Sequence, residues 1–222
     1  MKDEVAASWD AEYATGQISD ELPVPFINDI MAAAFGRRLD HGLYVGCGNG
    51  RNFLPLSRAG LTLTGLDVSG TALGRLATRA PQYAGRLVHG DLGAVSGDDF
   101  DLLIGIQVFQ HGDRATAHAA IRQAQRTLRP GGLFCLRVNA VATDVWPQHE
   151  VTEDHPDGGF TVRYLAGPKA GLRMHFFSAA ELAELFGEQA WEPVLPLRID
   201  QRWRTAPEPG QWSQWEAIWA LQ

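Results

Sequence analysis

A short glycine cluster is the first feature of this sequence that suggests chemistry. The segment GCGNG at residues 46–50 directly follows the apolar run LYV and precedes a helix-forming segment. Glycines let the backbone turn sharply and approach a ligand without Cβ contacts. The helix that follows presents unpaired N–H groups and a positive dipole end, which suit a carboxylate or a phosphate. A purely structural turn explains the cluster alone equally well.

Two carboxylates follow the next two predicted strands. Asp67 ends the run LTLTGLD. An acid about 20 residues after the glycine loop of a doubly wound fold hydrogen-bonds ribose hydroxyls. Asp91, in HGDL, follows the third strand and is placed to reach an adenine edge, with helix capping as the alternative. A dinucleotide fingerprint would need glycine where Arg51 stands, so the pattern favours a different nucleotide-like ligand.

Two histidines are the candidate general bases. His111 follows the fourth predicted strand, where a helix-entry residue that contacts backbone is the alternative. His149 lies in a polar loop, residues 149–155, that is rich in histidine and carboxylates. Such side chains can bind metals, but no ligand spacing is enforced there. We therefore expect no metal ion and interpret the loop as facing the substrate.

The elements that position these residues alternate between strand and helix. Five short apolar runs alternate with helix-forming segments up to Ala140, which predicts βαβ units and a mainly parallel sheet. The segment LRPGG, residues 128–132, predicts a helix stop and a turn. Later, two strands are predicted within residues 160–177, a capping box of Ser178 and Glu181 begins a helix, and two final strands follow.

Taken in order, these motifs resemble those of class I S-adenosylmethionine-dependent methyltransferases of the small-molecule type. The matching segments are GCGNG, GLDVSGTAL, HGDL, FDLLIGIQVFQH, LRPGGLFCL and FFSAAELAELF, which together span about residues 40–187. One position departs from the pattern. The family often has an acid two residues before the first glycine, and this chain has Tyr44, so that contact has to be replaced.

The resemblance implies an α/β fold. It is a three-layer sandwich with a mostly parallel seven-stranded sheet in the order 3-2-1-4-5-7-6, an antiparallel last strand and N-terminal helices. It also implies a single methyltransferase domain over residues 1–222. Within it we expect an N-terminal helical cap (1–38), a cofactor-binding core (39–140), an acceptor-side insertion (141–177), and the last helix and strands (178–222).

The resemblance further implies which residues bind S-adenosylmethionine, whose product is S-adenosylhomocysteine. They are Trp9, Tyr13, Gly46, Cys47, Gly48, Asn49, Asp67, Val68, Asp91, Leu92, Ile106 and Gln107. The expected activity is methyl transfer to a small molecule by in-line displacement, with His111 or His149 as the base where one is needed. The alternatives are an S-adenosylmethionine-binding protein without catalysis and an NAD(P)-dependent oxidoreductase.

Composition limits the partners. The net charge is −7 and lysine occurs only at Lys2 and Lys169, so we expect no nucleic-acid partner. No apolar run approaches the length of a signal peptide or a membrane helix, so we expect a cytoplasmic protein without membrane contact. We also expect a monomer or a homodimer. The segment 141–171 is polar and rich in proline and glycine, which predicts a largely irregular, mobile lid over the acceptor.

Overall fold

The computed structural model describes residues 2–14, 22–95, 97, 99–167, 169–187, 191–205 and 209–222, with the side chains of residues 2–4 excepted. The helices are α1 (Lys2–Ala14), α2 (Phe26–Arg37), α3 (Phe53–Arg58), α4 (Gly70–Arg79), α5 (Arg114–Gln125) and α6 (Ala179–Gly187). The strands are β1 (His41–Val45), β2 (Thr62–Asp67), β3 (Leu87–His89), β4 (Phe100–Ile106), β5 (Leu128–Asn139), β6 (His149–Asp154), β7 (Phe160–Tyr164), β8 (Arg173–Phe176), β9 (Trp191–Arg204) and β10 (Gly210–Leu221).

Seven of these strands form one sheet in the order β3-β2-β1-β4-β5-β10-β9. The pairs β1–β2 and β2–β3 are parallel, as βαβ units require, and β10 pairs with β9 in antiparallel orientation. The α/β class is confirmed. Numbered along the chain, the order differs from the expected 3-2-1-4-5-7-6, because three strands between β5 and β9 form a sheet of their own, in the order β6-β7-β8.

The chain divides into two compact units. The first unit comprises residues 1–104 and 126–133, and the second comprises residues 105–125 and 134–222. In the first unit, β1 and β2 bury most of their residues, including Leu43, Tyr44 and Val45 of β1 and Leu63 and Leu66 of β2. Ser69 caps α4, because its side chain accepts a hydrogen bond from the amide of Ala72.

In the second unit, the three-stranded sheet β6-β7-β8 is antiparallel throughout. Its inner face buries Val162, Tyr164, Met174 and Phe176 in a small apolar core. Residues 149–154 and 160–164 within the segment 141–171 are strands, and its other described residues lie in turns and irregular stretches, so the expectation of a largely irregular segment is confirmed only in part. Strand β6 escapes sequence analysis because HEVTED has one apolar residue, Val151, and that residue is exposed.

Part of the sequence prediction for residues 178–222 is confirmed. The capping box is confirmed, since the amide of Glu181 donates to Ser178 Oγ at 3.1 Å and the amide of Ser178 donates to Glu181 Oε2 at 3.3 Å. Trp219 on β10 stacks on Phe186 of α6 with ring centroids 3.7 Å apart, which is core packing. The two expected final strands are present as β9, with 14 residues, and β10, with 12 residues.

The segment LRPGG does not form the expected turn. Residues 128–132 already belong to β5, and the turn falls at residues 126–127. The amide of Phe100 donates to the carbonyl of Thr127 at 3.1 Å, which fixes the start of the strand. Within the described residues, every helix is too short or too polar to cross a membrane.

Candidate functional site

The glycine loop lies at the carboxyl end of β1 in the first unit. Gly46, Gly48 and Gly50 have φ values of 70°, 53° and 91°, a conformation that residues with a Cβ rarely adopt. The amides of Gly46 and Cys47 both donate to the carbonyl of Leu66, at 2.8 and 3.1 Å. The loop is therefore tied to the end of β2, and glycine is required by the backbone itself.

Asp67 holds the loop from the neighbouring strand. Its Oδ2 accepts a hydrogen bond from the amide of Gly48 at 2.7 Å, and its Oδ1 accepts one from the amide of Ser69 at 2.8 Å. Burial raises the pKa of this carboxyl above its ordinary value, although both amide hydrogen bonds oppose the shift. Because a carboxylate offers about four lone-pair positions, Asp67 retains the capacity to accept two more hydrogen bonds.

Helix α1 lies against this loop. A Cβ built on Gly48 would stand 2.3 Å from the Tyr13 hydroxyl oxygen, so Tyr13 directly covers that glycine. The rings of Trp9 and Tyr13 are paired with centroids 6.1 Å apart. Asp10 fixes the helix, because it accepts hydrogen bonds from Ser69 Oγ at 2.5 Å and from the amide of Thr71 at 3.0 Å.

Sequence analysis missed Asp10. Its partners are about 60 residues away, so no local spacing rule could have found it. The carboxylate joins α1 to the first turn of α4, where a helix N-terminus favours negative charge. Asp10 thereby positions Trp9 and Tyr13, which were predicted, beside the loop.

The other predicted cofactor residues of the first unit lie around the same strand ends. Cys47 is buried, and burial raises the pKa of its thiol well above the usual value. The carbonyl of Asn49 accepts a hydrogen bond from the guanidinium of Arg79. His89 Nε2 lies 3.1 Å from the carbonyl of Val68.

Asp91 begins a short 3₁₀ turn, Leu92–Ala94, and Leu92 is buried. The carboxylate of Asp91 accepts a hydrogen bond from the amide of Gly93 at 2.8 Å. Asp91 thus performs the capping role that was its alternative interpretation.

Tyr44 is the position where the motif departs from the family pattern. Its side chain is buried, is hydrogen-bonded to the Asn52 side chain and packs edge-on against Phe53, with ring centroids 6.3 Å apart. Burial raises the pKa of its hydroxyl. Tyr44 therefore belongs to the core, and a loop amide is received instead by Asp67.

In the second unit, β4 ends at Ile106, which is buried, and Gln107 follows with a φ of 59°. A positive φ at a residue other than glycine is uncommon and often marks a functional position. The amide of Gln107 donates to the carbonyl of Arg137 at 2.7 Å, which holds this conformation.

His111 is half-buried and forms an isolated antiparallel bridge with Met174 on β8. Burial lowers its pKa to about 4, with the positive charge of Lys169 as the second cause, and a hydrogen bond with the backbone of Gln107 opposes the shift. The imidazole is neutral at pH 7. At this pKa it is a weak base, and its contact with backbone matches the alternative interpretation.

His149 lines a cavity of about 450 Å³ in the second unit. The other lining residues are Thr143, Asp144, Val145, Val151, Asp154 and Phe160. His149 Nδ1 lies 2.7 Å from the carbonyl of Trp146. A carbonyl can only accept, so Nδ1 carries the proton and the neutral ring has its lone pair on Nε2. This is the tautomer that a general base in the cavity would need.

Residues 149–155, which were expected to form a polar loop, do not bring their side chains together into one metal site. Glu150 pairs with Arg163, whereas Glu153 accepts hydrogen bonds from Thr161 and from the amide of Arg114. A different cluster, of His118, His175 and Glu181, has its ligand-type atoms within 4.8 Å of one another. Sequence analysis found only the capping role of Glu181, because the two histidines come from distant elements.

Comparison with known proteins gives a family for the part of the chain that carries the glycine loop. Residues 43–132 match the model of a family described as a methyltransferase domain. Over 147 residues the chain is 28% identical to a ubiquinone biosynthesis O-methyltransferase of Methylobacterium nodulans, with 59% of this chain and 57% of that protein covered. The chain thus spans less than two thirds of this relative's length.

Two solved structures are similar over nearly the whole chain. One is a 1,6-didemethyltoxoflavin-N1-methyltransferase of Burkholderia thailandensis, with a TM-score of 0.63, 18% identity, and coverage of 100% of this chain and 91% of that chain. The other is a magnesium protoporphyrin IX methyltransferase of Synechocystis PCC 6803, with a TM-score of 0.64, 14% identity, and coverage of 97% and 99%. At these identities the likeness shows that the fold is the same.

Proposed function

We propose that this chain, which belongs to the methyltransferase domain family over residues 43–132, transfers a methyl group from S-adenosylmethionine to a small-molecule acceptor. The observation that carries the proposal is the glycine loop, with three positive φ values, held by the buried carboxylate of Asp67 through the amide of Gly48. This pairing offers backbone amides and carboxylate lone pairs at adjacent strand ends, where nucleotides bind in open α/β sheets.

The residues present fit this cofactor. We assign its binding in the first unit to Trp9, Tyr13, Gly46, Cys47, Gly48, Asn49, Asp67, Val68, Asp91 and Leu92. The expected roles of Ile106 and Gln107, in the second unit, stay predictions. Asp67 accepts the ribose hydroxyls with its remaining lone pairs, since two of its four positions are already used. Asp91 has a capping bond on Oδ1, so its contact with adenine uses the remaining acceptor positions.

S-adenosylmethionine supplies a methyl group on a sulfonium, and an in-line displacement releases a neutral thioether. Alignment of the acceptor therefore matters more than acid–base power, and no metal ion is needed for the transfer itself. Where the acceptor has to lose a proton, His149 is the better of the two candidate bases. Trp146 fixes its tautomer, whereas burial keeps the pKa of His111 at about 4.

The cavity beside His149 supports an acceptor of small size. Its volume of about 450 Å³ lies in the usual range for ligand sites, and Val145, Val151 and Phe160 give it apolar walls. The similar enzymes are named for ubiquinone biosynthesis, 1,6-didemethyltoxoflavin and magnesium protoporphyrin IX, and each of these names refers to small-molecule chemistry. The three-layer arrangement, the single domain, a cytoplasmic location and a monomeric or homodimeric state stay predictions.

The first test is binding. Titration calorimetry with S-adenosylmethionine should give saturable binding that Asp67→Ala weakens by about 1.5–3 kcal/mol, the scale of a hydrogen bond to a charged group. The exposed Asp99→Ala is the matched control and should bind as the wild type does. Unchanged affinity in folded Asp67→Ala would refute the ribose assignment, and preferential binding of NAD(P) would favour an oxidoreductase.

The second test is turnover. The purified chain is incubated with S-adenosylmethionine and a panel of small hydroxylated, amine and thiol compounds, and release of S-adenosylhomocysteine is measured. We expect release that depends on one class of acceptor and that falls in His149→Ala when the acceptor group is protonated at pH 7. Tight binding without release for every class would leave a binding protein without catalysis.

A further inference from the structure

Two histidines and one glutamate converge in the interior of the second unit. Oε1 of Glu181, in the first turn of α6, lies 2.8 Å from His175 Nε2 and within hydrogen-bond distance of His118 Nε2. Glu181 and His175 are fully buried, and the side chain of His118 is 13% exposed. The three ligand-type atoms lie within 4.8 Å of one another. Helices α5 and α6 and strand β8 each contribute one of them.

The surroundings fix which nitrogen of His175 faces the cluster. The Thr161 hydroxyl donates to Glu153 Oε2 at 2.6 Å, so its single proton is used there. His175 Nδ1 lies 2.9 Å from the same hydroxyl oxygen and therefore has to donate to it. In the neutral ring the lone pair then lies on Nε2, the atom that points to Glu181. An outer hydrogen bond of this kind, ending on a carboxylate, is what orients histidines that bind metals.

Carboxylates surround the cluster. Glu153 accepts hydrogen bonds from the Thr161 hydroxyl and the Arg114 amide, and Asp157 and Glu181 lie beside the Arg114 guanidinium. Arg114 is the cation that these groups share. It pairs with Asp157 through two hydrogen bonds of 2.6 and 3.2 Å, and its Nε lies 3.4 Å from Glu181 Oε1.

Of these carboxylates, Glu181 is fully buried, whereas 32% of the Glu153 side chain and 22% of the Asp157 side chain is exposed. A dication bound by Glu181 and the two histidines would place positive charge beside the buried carboxylate. The donor set of two imidazole nitrogens and one carboxylate oxygen is typical of sites for zinc and similar ions.

We propose that His118, His175 and Glu181 bind a divalent transition metal ion, with Zn²⁺ the best fit, which cross-links the sheet β6-β7-β8 to α5 and α6. His155 lies nearby, with its ring centroid 6.3 Å from that of His175, but its nitrogens are not among the atoms that lie within 4.8 Å of one another. Its Nε2 is 3.8 Å from Glu153 Oε2. Three protein ligands leave a further position of the ion for water.

This proposal departs from the expectation of no metal ion. The three ligands come from segments that no sequence spacing connects, so only the fold brings them together. It does not depend on the proposed function, because the metal has a structural role and the sulfonium needs no Lewis acid. Binding has to displace any protons on the ligand nitrogens, so the affinity for Zn²⁺ falls as the pH is lowered.

The experiment uses the full chain, freed of metal with a chelator and then titrated with Zn²⁺ and with Co²⁺. We expect one tightly held ion per chain by mass spectrometry of the metal, a rise in the unfolding temperature, and a visible spectrum of tetrahedral Co²⁺. Thr161→Val removes the acceptor of His175 Nδ1–H and should weaken Zn²⁺ binding about 10–100-fold.

Two variants remove ligands with little change of shape. Glu181→Gln keeps the capping box, in which glutamine replaces glutamate, and His118→Gln lies at the edge of the cluster. Both should lose the bound ion and the thermal gain, with unchanged circular dichroism. His41→Gln, an exposed histidine on β1, is the matched control and should retain both.

Three results would overturn the proposal. They are a wild-type chain that takes up no ion above the level of a histidine-free control protein, equal Zn²⁺ binding by the wild type and both variants, and a thermal gain that His41→Gln also loses. In each case the cluster would be a hydrogen-bonded network whose charge is balanced by protons. If Glu181→Gln fails to fold, the comparison of His118→Gln with His41→Gln decides.

Discussion

At the scale of single residues, the loop and its carboxylate form one unit. Asp67 receives the Gly48 amide, so the position of the loop backbone and the lone pairs left for a ligand are set by the same side chain. The acid that related sequences often carry at position 44 is replaced by a buried tyrosine, and Asp67 takes over a loop contact. Substitutions here act on loop shape and ligand contact together.

Gly48 provides the sharpest residue test. In Gly48→Val the new side chain meets Tyr13 at 2.3 Å and must adopt a φ of 53°, which costs roughly 1–2 kcal/mol for a residue with a Cβ. We expect no measurable S-adenosylmethionine binding by calorimetry and a modest fall in unfolding temperature. Gly74→Ala in α4, with open space at its Cβ, should bind normally and gain about 0.5–1 kcal/mol. Normal binding by Gly48→Val would make the loop a turn only.

His111 should make the folded state sensitive to acid. Its pKa of about 4 lies below the ordinary value of 6.5, so the unfolded chain binds more protons between these two pH values. The contribution of His111 to the free energy of unfolding is therefore fully present above pH 6.5. It is lost as the pH falls towards 4, and the loss is on the order of 2 kcal/mol. Urea unfolding from pH 4 to pH 7 should show a flatter profile for His111→Gln than for the wild type. Parallel profiles would contradict the shift.

At the scale of elements, α1 is held by a contact outside the glycine loop. Asp10 bonds to Ser69 Oγ and to the amide of Thr71, at the start of α4, and these hydrogen bonds lower the pKa of the Asp10 carboxyl. Because Trp9 and Tyr13 lie on the same helix, their place beside the loop depends on this carboxylate.

Asp10→Ala should destabilise the protein by about 1 kcal/mol, as loss of a helix cap does. It should also weaken S-adenosylmethionine binding several-fold, since α1 loses its anchor while the loop stays intact. Calorimetry and chemical denaturation measure the two effects, and the exposed Ala11→Gln is the control on the same helix. Affinity equal to that of the wild type would show that α1 does not contribute to the site.

Whether a contact could be predicted from the sequence depends on how far apart its two residues lie along the chain. Ser178 and Glu181 are three residues apart, and their capping box was predicted correctly. Asp10, and the meeting of His118 with His175, depend on contacts across about 60 residues, which leave no periodic trace. Strand β6 was missed for the same reason, because its pairing with β7 rather than its own apolarity keeps it extended.

At the scale of the whole molecule, hydrogen exchange separates the rigid segments from the responsive ones. Strands β6–β8 form a paired sheet with an apolar core, so their amides should exchange slowly with and without ligand. The connecting residues 142–148 and 165–167 should exchange fast and become protected when S-adenosylhomocysteine and an acceptor analogue bind. We therefore expect lid motion only in these two connecting segments.

The same experiment should show protection at residues 46–50 and 67–72 with S-adenosylhomocysteine alone, because these amides belong to the loop, to Asp67 and to the start of α4. Uniform exchange of β6 at the rate of an unpaired segment would contradict the sheet. If residues 142–148 and 165–167 exchange at the same rate with and without ligand, the prediction of a lid is wrong.

The chain enters and leaves the segment that carries the small sheet β6-β7-β8 at neighbouring positions. Ala140 and Phe177 lie side by side in a parallel bridge, and the amides of Val141 and Phe177 donate to the carbonyls of Phe177 and Asn139 at 3.1 and 2.9 Å. Residues 141–176 therefore form a closed excursion with adjacent ends, which makes them a natural cassette for exchange between homologues. A graft from another enzyme needs matching end spacing and side chains that restore the contacts of this segment with Arg114, His118 and Glu181. Under the proposed function, we expect recombination at these two junctions to alter acceptor preference while leaving the rest of the coding sequence untouched.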